Sequence, residues 1–587
     1  MMSEHVWRYT LLGTIFSLLA FAIVGQMVRI QLNPEQVAYF MEVREANLGT
    51  YRTIYPARGL IYDRDGHVMA SNTKVYEVGV ELAWVENPHT IALALNVVLG
   101  LDYKDVLQAV SQDASPSAVY VVLDKFVPQE QVDQLESYRD EIESNYTNRR
   151  DNDRPSLSGL VYVPHLMRSY PEKDRASNIL GFVTLEGEGN FGVEAKFNHL
   201  LAGDPKNVWI PRDPNLAEEI PNIPDGASVI LTIDRSIQRA VEDIVDDAVD
   251  DSGSDSGTIV VLAPQTGEIL AMATTTRLNL NEYWRYSEVF KGNTPFNRAV
   301  SEMYEPGSVF KILTMAAALD KGAVTPETEF LDTGVFEIGG TYIYNWNRAA
   351  WGPQNMMGCL QHSLNVCLAW VSSELGAKDF YSYLRAFGIG HLTGVDMAGE
   401  MPGRLKLPGD ADWYDADLGT NAFGQGVAVT PLQLAVASAA IANDGKLMAP
   451  HIVKAVVKDN QQFDTQPRLI GMPISSKTAN TLTEMLASSL EKEASDALVE
   501  GYRVAGKTGT AEIPTPYGYS SSATNASFVG WGPVDDPMFL VYIWLEKPTT
   551  SPWGSVVAAP VFQQVVERLV VLMEIPPDDV RRKIFSQ

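Results

Sequence analysis

The longest apolar run of the chain lies near its N-terminal end. Twenty residues from Tyr9 to Val28 carry no charge, and Arg8 and Arg29 flank them. A helix of this length matches the roughly 30 Å hydrocarbon core of a membrane. A cleaved signal peptide would have a shorter apolar region that ends in a small-x-small site, and this run does not. The pattern predicts one uncleaved transmembrane anchor over 9–30, with residues 1–8 in the cytoplasm and the bulk of the chain outside.

Residues 31–228 show a mixed pattern that predicts a separate α/β domain. The segment 58–70 is typical of two short strands around a tight turn at Asp65-Gly66. Apolar residues alternate with polar residues and glycine over 77–82, which predicts a half-buried strand. Two polar or turn-rich stretches, 144–155 and 222–227, are predicted to be a surface loop and a linker.

Residues 229–575 show clearer periodicity, and 576–587 are predicted to be a tail. Apolar residues at helical spacing over 237–249 follow Asp234, a residue type that caps helices. Four strands are predicted over 258–263, 269–273, 526–531 and 539–545, and a last helix from Pro560 to about Met573. This order of elements predicts an α+β fold, in which an antiparallel sheet has flanking helices and a helical subdomain.

Composition excludes one class of partner. The 587 residues carry a net charge of −28, whereas nucleic-acid binding calls for basic patches. A hydrophobic content of 45% allows substantial cores. The acidity is expected to keep a large exported domain soluble.

The chain has two cysteines, Cys359 and Cys367, too few for a disulfide scaffold. On one continuous helix, eight residues of separation would place them about 12 Å apart along the axis, too far to bridge. The sequence therefore favours two buried thiols, and a break in the helix between them would reopen the question of a disulfide.

Three short motifs occur in order along the chain: Ser308-Val-Phe-Lys311, Ser363-Leu-Asn365 and Lys507-Thr508-Gly509. Such a set is typical of serine acyltransferases that react with β-lactams. Ser-x-x-Lys also occurs at 71–74, in a stretch predicted to be a turn, and at 489–492, among exposed charges. Only Ser308 precedes a run that is apolar nearly all round, which predicts a buried helix.

The residue types suit acyl transfer. Serine needs an adjacent base, and Lys311 lies one helical turn from Ser308. Burial and a second cation, Lys507, would both lower the pKa of Lys311 and make it a base. Ser363 is expected to relay a proton and Asn365 to hold a substrate amide, although the pair would also suit a helix cap.

Residues 504–511 are predicted to be a strand whose small residues let a ligand approach the backbone. Thr508 and Gly509 would lie along an extended peptide, and the backbone N–H groups of Ser308 and Thr510 would form an oxyanion hole. The spacing before Lys507 also matches a phosphate-binding loop. That alternative is rejected, because a helix must follow such a loop and Pro514 and Pro516 would block it. No metal or cofactor is predicted, since the histidines are scattered.

With these residues in place, the chain resembles the class B penicillin-binding proteins over nearly its whole length. The resemblance lies in 58–66, Gly192-Val-Glu194, Phe296-Asn-Arg-Ala299, 304–311, Phe423-Gly-Gln-Gly426 with Thr430-Pro-Leu-Gln433, and Phe528-Val-Gly-Trp531. It implies a pedestal domain before a D,D-transpeptidase domain that cross-links peptidoglycan stem peptides on the outer side of the bacterial inner membrane. The form of 304–308 is closer to division than to elongation members.

The resemblance also implies partners. These are the stem peptide or its lipid-linked precursor, β-lactams that acylate Ser308, the inner membrane, and a polytopic glycosyltransferase of the SEDS type. Two other classes remain open: a serine β-lactamase, and a β-lactam sensor or non-catalytic scaffold. An anchor with a pedestal argues against the β-lactamase. A sensor would be expected to carry more membrane spans and a cytoplasmic effector, and the intact motif set argues against a non-catalytic scaffold.

Overall fold

The computed structural model describes residues 6–34, 37, 39, 49–112, 119–146, 154–211, 223–493, 495–516 and 518–585. The chain divides into two compact units, Met1–Ala57 with Gly203–Gly226 and Arg58–Ala202 with Ala227–Gln587. All the candidate site residues lie in the second unit.

The described helices are α1 Val6–Leu32, α2 Pro88–Leu99, α3 Tyr103–Val110, α4 Gln129–Tyr146, α5 Ser177–Leu180, α6 Gly192–Lys196, α7 Asn198–Ala202, α8 Arg235–Ser252, α9 Tyr286–Val289, α10 Arg298–Ser301, α11 Lys311–Lys321, α12 Met356–Gln361, α13 Asn365–Leu375, α14 Ala377–Ala386, α15 Asp415–Asn421, α16 Pro431–Ala442, α17 Ser476–Glu493, α18 Gly554–Val557, α19 Ala559–Leu572 and α20 Asp578–Phe585.

The described strands are β1 Gly49–Ile54, β2 Ile61–Tyr62, β3 Val68–Glu81, β4 Tyr120–Pro128, β5 Leu160–Ser169, β6 Phe182–Val183, β7 Gly189–Asn190, β8 Lys206–Pro211, β9 Ser228–Leu231, β10 Ser256–Leu262, β11 Ile269–Thr274, β12 Glu329–Asp332, β13 Val335–Ile338, β14 Thr341–Tyr344, β15 Gly352–Asn355, β16 Leu447–Met448, β17 Val453–Lys458, β18 Gln461–Asp464, β19 Leu469–Gly471, β20 Ala505–Thr515, β21 Gly518–Gly532 and β22 Phe539–Glu546.

The first unit contains α1 and the antiparallel pair of β1 and β8. The predicted apolar run lies within α1, and its side chains are exposed from residue 7 to residue 29. A long apolar helix with no protein packed on it is suited to a lipid environment.

A second segment, Gly554–Leu572, is also long and apolar enough to cross a membrane, although the sequence pattern indicated only one such run. Its longer helix, α19, buries Phe562, Val565 and Leu569 in the core of the second unit. This segment is therefore a core helix of the folded domain.

The second unit is built on an antiparallel sheet of strand order β11-β10-β22-β21-β20. Alternate residues of β10 enter two cores: Ile259 and Val261 pack with α8 and α19, and Val260 and Leu262 with α11 and α16. The predicted α+β class and the four predicted strands are confirmed. Strand β20 lies at one edge of this sheet and carries Lys507-Thr508-Gly509.

Helix α8 begins as the sequence predicted. The carboxylate of Asp234 accepts hydrogen bonds from the N–H groups of Ser236 and Ile237, at 2.9 and 3.0 Å. These donors have no partner within the helix, so the cap stabilises its first turn. The last predicted helix, α19, is also present.

A second sheet has the order β18-β17-β9-β2-β3-β4, with β5 also paired to β3. The predicted turn at Asp65-Gly66 joins β2 to β3. The predicted turn at 71–74 is wrong, because β3 runs without interruption from Val68 to Glu81. Pairing with β5 along this length provides partners for the backbone N–H and C=O groups, and this overrides the turn preference of Ser71-Asn-Thr73.

Two predicted irregular stretches fall partly outside the described residues. Of the predicted loop 144–155, residues 144–146 complete α4 and 147–153 are not described. Of the predicted linker, 223–227 have neither helix nor strand and residue 222 is not described. The loop prediction is thus wrong for its first three residues.

The cysteines correct the sequence reasoning. Cys359 and Cys367 form a disulfide with a Cα–Cα distance of 6.0 Å. The prediction of two unpaired thiols assumed one continuous helix, but α12 ends at Gln361 and α13 begins at Asn365. The bend between the helices brings the cysteines within bridging range. Both are fully buried, as expected.

Candidate active site

Ser308 lies in a 3₁₀ turn, Gly307–Phe310, that leads directly into α11. Its side chain is half-buried between fully buried neighbours. Gly307 has φ +62°, and a Cβ there would lie 2.6 Å from the carbonyl oxygen of Thr510. Only glycine allows the turn to approach β20 this closely.

Lys311, the first residue of α11, is completely buried. Its amine nitrogen lies within hydrogen-bonding distance of three oxygens: the Ser363 carbonyl at 2.6 Å, Ser363 Oγ at 3.1 Å and Asn365 Oδ1 at 2.7 Å. No hydrogen bond to the Ser308 hydroxyl is found among the described residues. The first two motifs therefore meet through Lys311.

The environment of Lys311 disfavours its charged form. Burial, and secondarily the ammonium of Lys507, holds the pKa of Lys311 well below its usual value. The predicted burial and lowered pKa are confirmed, and a lysine with its amine in solvent is excluded. A neutral amine in this position can accept a proton.

Ser363 and Asn365 lie at the junction of α12 and α13. Ser363 has φ +52°, a conformation that few non-glycine residues adopt. Asn365 is the first residue of α13, and its Nδ2 donates to the Tyr344 carbonyl at 3.2 Å. The N-cap residue is Leu364, and no side chain caps this helix. The alternative that the motif serves as a helix cap is therefore wrong.

Lys507, Thr508 and Gly509 lie on edge strand β20. Burial lowers the pKa of Lys507 to about 8, partly offset by Glu493. Its amine donates to the Thr508 carbonyl at 3.2 Å and to Thr508 Oγ1 at 3.3 Å. A Cβ at Gly509 would lie 2.9 Å from the side chain of Val309, so the strand packs tightly on the turn.

The side chain of Thr510 contacts the first residue of helix α18. Its Oγ1 accepts a hydrogen bond from the Gly554 N–H at 3.1 Å. The strand continues to Thr515, so no helix follows Lys507 and the phosphate-binding loop is excluded. The three motifs thus contribute a half-buried serine, two buried amines and a sheet edge.

The other copies of Ser-x-x-Lys lie in different settings. Ser71 is part of β3. Ser489 is buried in α17, and its hydroxyl donates to the Met485 carbonyl at 2.8 Å. The sequence context of 489–492 indicated exposed charge, which holds for Lys492 but not for the serine.

Several neighbours of the site carried no sequence signal. Trp346 donates to the His362 carbonyl at 3.4 Å and packs edge-on against Trp553, with ring centroids 5.2 Å apart. The Tyr519 hydroxyl donates to Glu305, whose pKa burial raises, at 2.9 Å. Trp346 and Trp553 lie 207 positions apart in sequence, and Tyr519 and Glu305 lie 214 apart, so no local pattern encodes these two contacts.

His362 takes no part in a serine–histidine pair. Its Nδ1 contacts the carboxylate of Glu493, and its ring stacks on Trp351 at a centroid distance of 4.3 Å. Its place beside Ser363 in sequence therefore does not translate into a catalytic contact.

Comparisons with known proteins identify the family of the chain. The family model for the penicillin-binding protein transpeptidase domain matches residues 257–567, and that for the penicillin-binding protein dimerisation domain matches 53–206. The chain is 31% identical to stage V sporulation protein D of Bacillus subtilis, over 87% of this chain and 77% of that protein. It is 26% identical to the peptidoglycan D,D-transpeptidase FtsI of Buchnera aphidicola, over 98% and 97% of the two chains.

The fold also matches a solved structure. Penicillin-binding protein 3 of Mycobacterium tuberculosis, complexed with aztreonam, superposes with a TM-score of 0.67 at 24% identity, covering 90% of this chain and 98% of that one. The combination of a dimerisation domain, a transpeptidase domain and a relative above 30% identity establishes the family. The chain belongs to the class B penicillin-binding proteins, and it is a peptidoglycan D,D-transpeptidase.

Proposed function

We propose that Ser308 is the nucleophile of this D,D-transpeptidase. The neutral amine of Lys311 takes the hydroxyl proton, and Ser308 Oγ attacks the carbonyl of the penultimate D-alanine of a stem peptide. The backbone N–H groups of Ser308 and Thr510 stabilise the oxyanion. The terminal D-alanine leaves with a proton relayed through Ser363. An amine of a second stem peptide then attacks the ester, forming the cross-link and releasing Ser308.

The remaining motif residues are proposed to bind the donor peptide. The Lys507 ammonium and the Thr508 hydroxyl attract its terminal carboxylate. The side-chain amide of Asn365 holds a backbone amide of the peptide, and Gly509 leaves room for it along the edge of β20. An extended peptide gains backbone hydrogen bonds at such an edge.

β-lactams are proposed to acylate the same serine. The solved relative complexed with aztreonam supports this, because its fold is shared over most of the chain. A β-lactam presents a strained amide and an adjacent anionic group, and the negative charge of that group is complementary to Lys507. The adduct is expected to persist, in contrast to turnover by a β-lactamase.

The domain boundaries are also proposals: a pedestal over 31–228, a transpeptidase domain over 229–575 and a tail over 576–587. The matches to the two family models support this division. The seven-stranded sheet combines strands from both sides of residue 229, so the two domains are expected to fold as one cooperative unit.

We propose that α1 crosses the inner membrane once, with residues 1–8 inside and the catalytic domain outside. The disulfide supports this orientation, because disulfides form and persist in oxidising compartments outside the cytoplasm. The expected partners are the lipid-linked precursor and a SEDS-type glycosyltransferase. The division-type relatives support a role in cell division.

The environment of Lys311 carries the proposal, because an amine that is buried, low in pKa and bonded to Ser363 and Asn365 has no evident structural purpose. The test incubates the full-length protein in detergent with a stem pentapeptide donor and an amine acceptor. Release of D-alanine together with a cross-linked product is expected for the wild type and lost in Ser308→Ala. Product formation by folded Ser308→Ala would refute the assignment.

A further inference from the structure

The Cys359–Cys367 disulfide brackets the loop that carries Ser363. Cys359 lies in α12 and Cys367 in α13, with both side chains fully buried. Only residues 362–364 separate the two helices. The bond therefore ties the two ends of this loop together at a Cα–Cα distance of 6.0 Å.

The loop has a conformation that needs support. Ser363 has φ +52°, which is unfavourable for a residue with a side chain and persists only where its surroundings enforce it. Its N–H donates to the Leu360 carbonyl at 3.2 Å, and the N–H of Leu364 donates to the Cys359 carbonyl at 3.0 Å. The bend thus rests directly on the backbone of the bridged segment.

The same loop and the first residue of α13 supply the hydrogen-bond partners of the Lys311 amine. Ser363 contributes two of them, at 2.6 and 3.1 Å, and Asn365 contributes the third, at 2.7 Å. Ser363 lies midway between the two cysteines in sequence. Hydrogen bonds weaken steeply outside a narrow range of distance and angle, so a small shift of the loop would change the direction of the amine.

We propose that the disulfide is a positioning element of the active site, which holds Ser363 and Asn365 where they orient Lys311 for proton transfer. The inference rests on the proposed function of Ser308 and Lys311. The cysteines do not touch the substrate and act only through the loop. Oxidative formation of this bond is then a requirement for full acylation activity.

The test uses full-length protein and compares the wild type with two double variants. Cys359→Ala/Cys367→Ala removes the bond, and Cys359→Val/Cys367→Ala removes it while restoring apolar volume to the core. The measurements are the rate constant of acylation by a fluorescent penicillin, the dissociation constant of the preceding complex, and the thermal unfolding midpoint. The acylation rate constant is expected to fall on the order of 10-fold or more in both variants, with the dissociation constant unchanged.

Leu569→Ala is the matched control, because Leu569 is fully buried in α19 and packs in the core on the other face of the sheet. It should lower the midpoint and leave the acylation rate constant at the wild-type value. Wild-type acylation by either folded double variant would overturn the proposal. If the wild type itself is not acylated, the proposed function fails and this inference fails with it. If the wild type and a folded double variant are acylated equally fast, only this inference fails.

Discussion

At the scale of single residues, the two buried lysines of the site differ in pKa. Among the described residues, oxygen atoms of Ser363 and Asn365 contact the Lys311 amine, and no carboxylate does. Burial and the Lys507 ammonium therefore lower the pKa of Lys311. Lys507 has a pKa of about 8 and keeps its proton at neutral pH. In the proposed mechanism one amine therefore acts as a base, while the other stays an ammonium that attracts the substrate carboxylate.

This division predicts a bell-shaped pH dependence of acylation. As pH falls through the low pKa of Lys311, the base becomes protonated and the rate drops. As pH rises through about 8, the Lys507 ammonium loses its proton and the rate drops again. Stopped-flow acylation measured across the pH range should show both limbs.

The basic limb can be assigned with Lys507→Arg. A guanidinium stays charged throughout this range, so the limb should move to higher pH while the acid limb remains. A basic limb that keeps its wild-type midpoint in folded Lys507→Arg would contradict the assignment to this residue.

At the scale of elements, the turn at Ser308 and strand β20 act as one unit because glycines let them touch. Gly307→Ala would place a Cβ 2.6 Å from the carbonyl oxygen of Thr510, at a residue with φ +62°. The expected cost is about 1–3 kcal/mol of stability. Acylation should also slow, because the turn and β20 together form the proposed oxyanion hole.

Gly322→Ala provides the control for this substitution. Gly322 also has a positive φ, +75°, but has open space where a Cβ would be. It should lower the free energy of unfolding, measured by urea titration, without changing the acylation rate. Equal effects of the two substitutions on acylation would contradict the account.

Elements differ in how far the sequence predicts them. Helix α8 has helical periodicity and a cap signal, and strands β10 and β22 are short apolar runs, so local reasoning finds them. The uninterrupted length of β3 depends on pairing with β5, and the disulfide depends on a bend at 362–364. Such features arise from partners distant in sequence or from a single backbone dihedral, which residue patterns do not encode.

The motifs were predictable individually, but their contacts were not. Local helical spacing pointed to a contact between Lys311 and Ser308, whereas the amine bonds to residues 52 and 54 positions away. A buried amine forms its hydrogen bonds wherever partners lie in the fold, which overrides neighbourhood in sequence. The sequence therefore identified the members of the site better than their partners.

At the scale of the whole molecule, the protein combines a lipid-suited helix with a large folded unit rich in acidic residues. The full chain is expected to stay with the membrane after carbonate washing and to be released only by detergent. Lysine substitutions at Leu18 and Ile23 should abolish retention, because each charge in the span costs about 2.5–3.5 kcal/mol. Fractionation followed by immunoblotting measures this, and retention of the doubly substituted chain would contradict the membrane assignment of α1.

The disulfide also contributes at this scale. A disulfide that closes a loop of about nine residues stabilises the folded state by about 2–3 kcal/mol. This is a substantial part of the free energy of unfolding of a domain. In the proposed location outside the cytoplasm, where oxidation is possible, formation of this bond couples the packing of α12 and α13 to the site that they carry.

The central claim, that Ser308 forms a covalent acyl-enzyme, is tested most directly by mass spectrometry of the full chain after reaction with penicillin. We expect one adduct that persists for many minutes, maps to the peptide containing Ser308 and is absent from folded Ser308→Ala. An adduct that remains in Ser308→Ala, or one that turns over rapidly in the wild type, would contradict it.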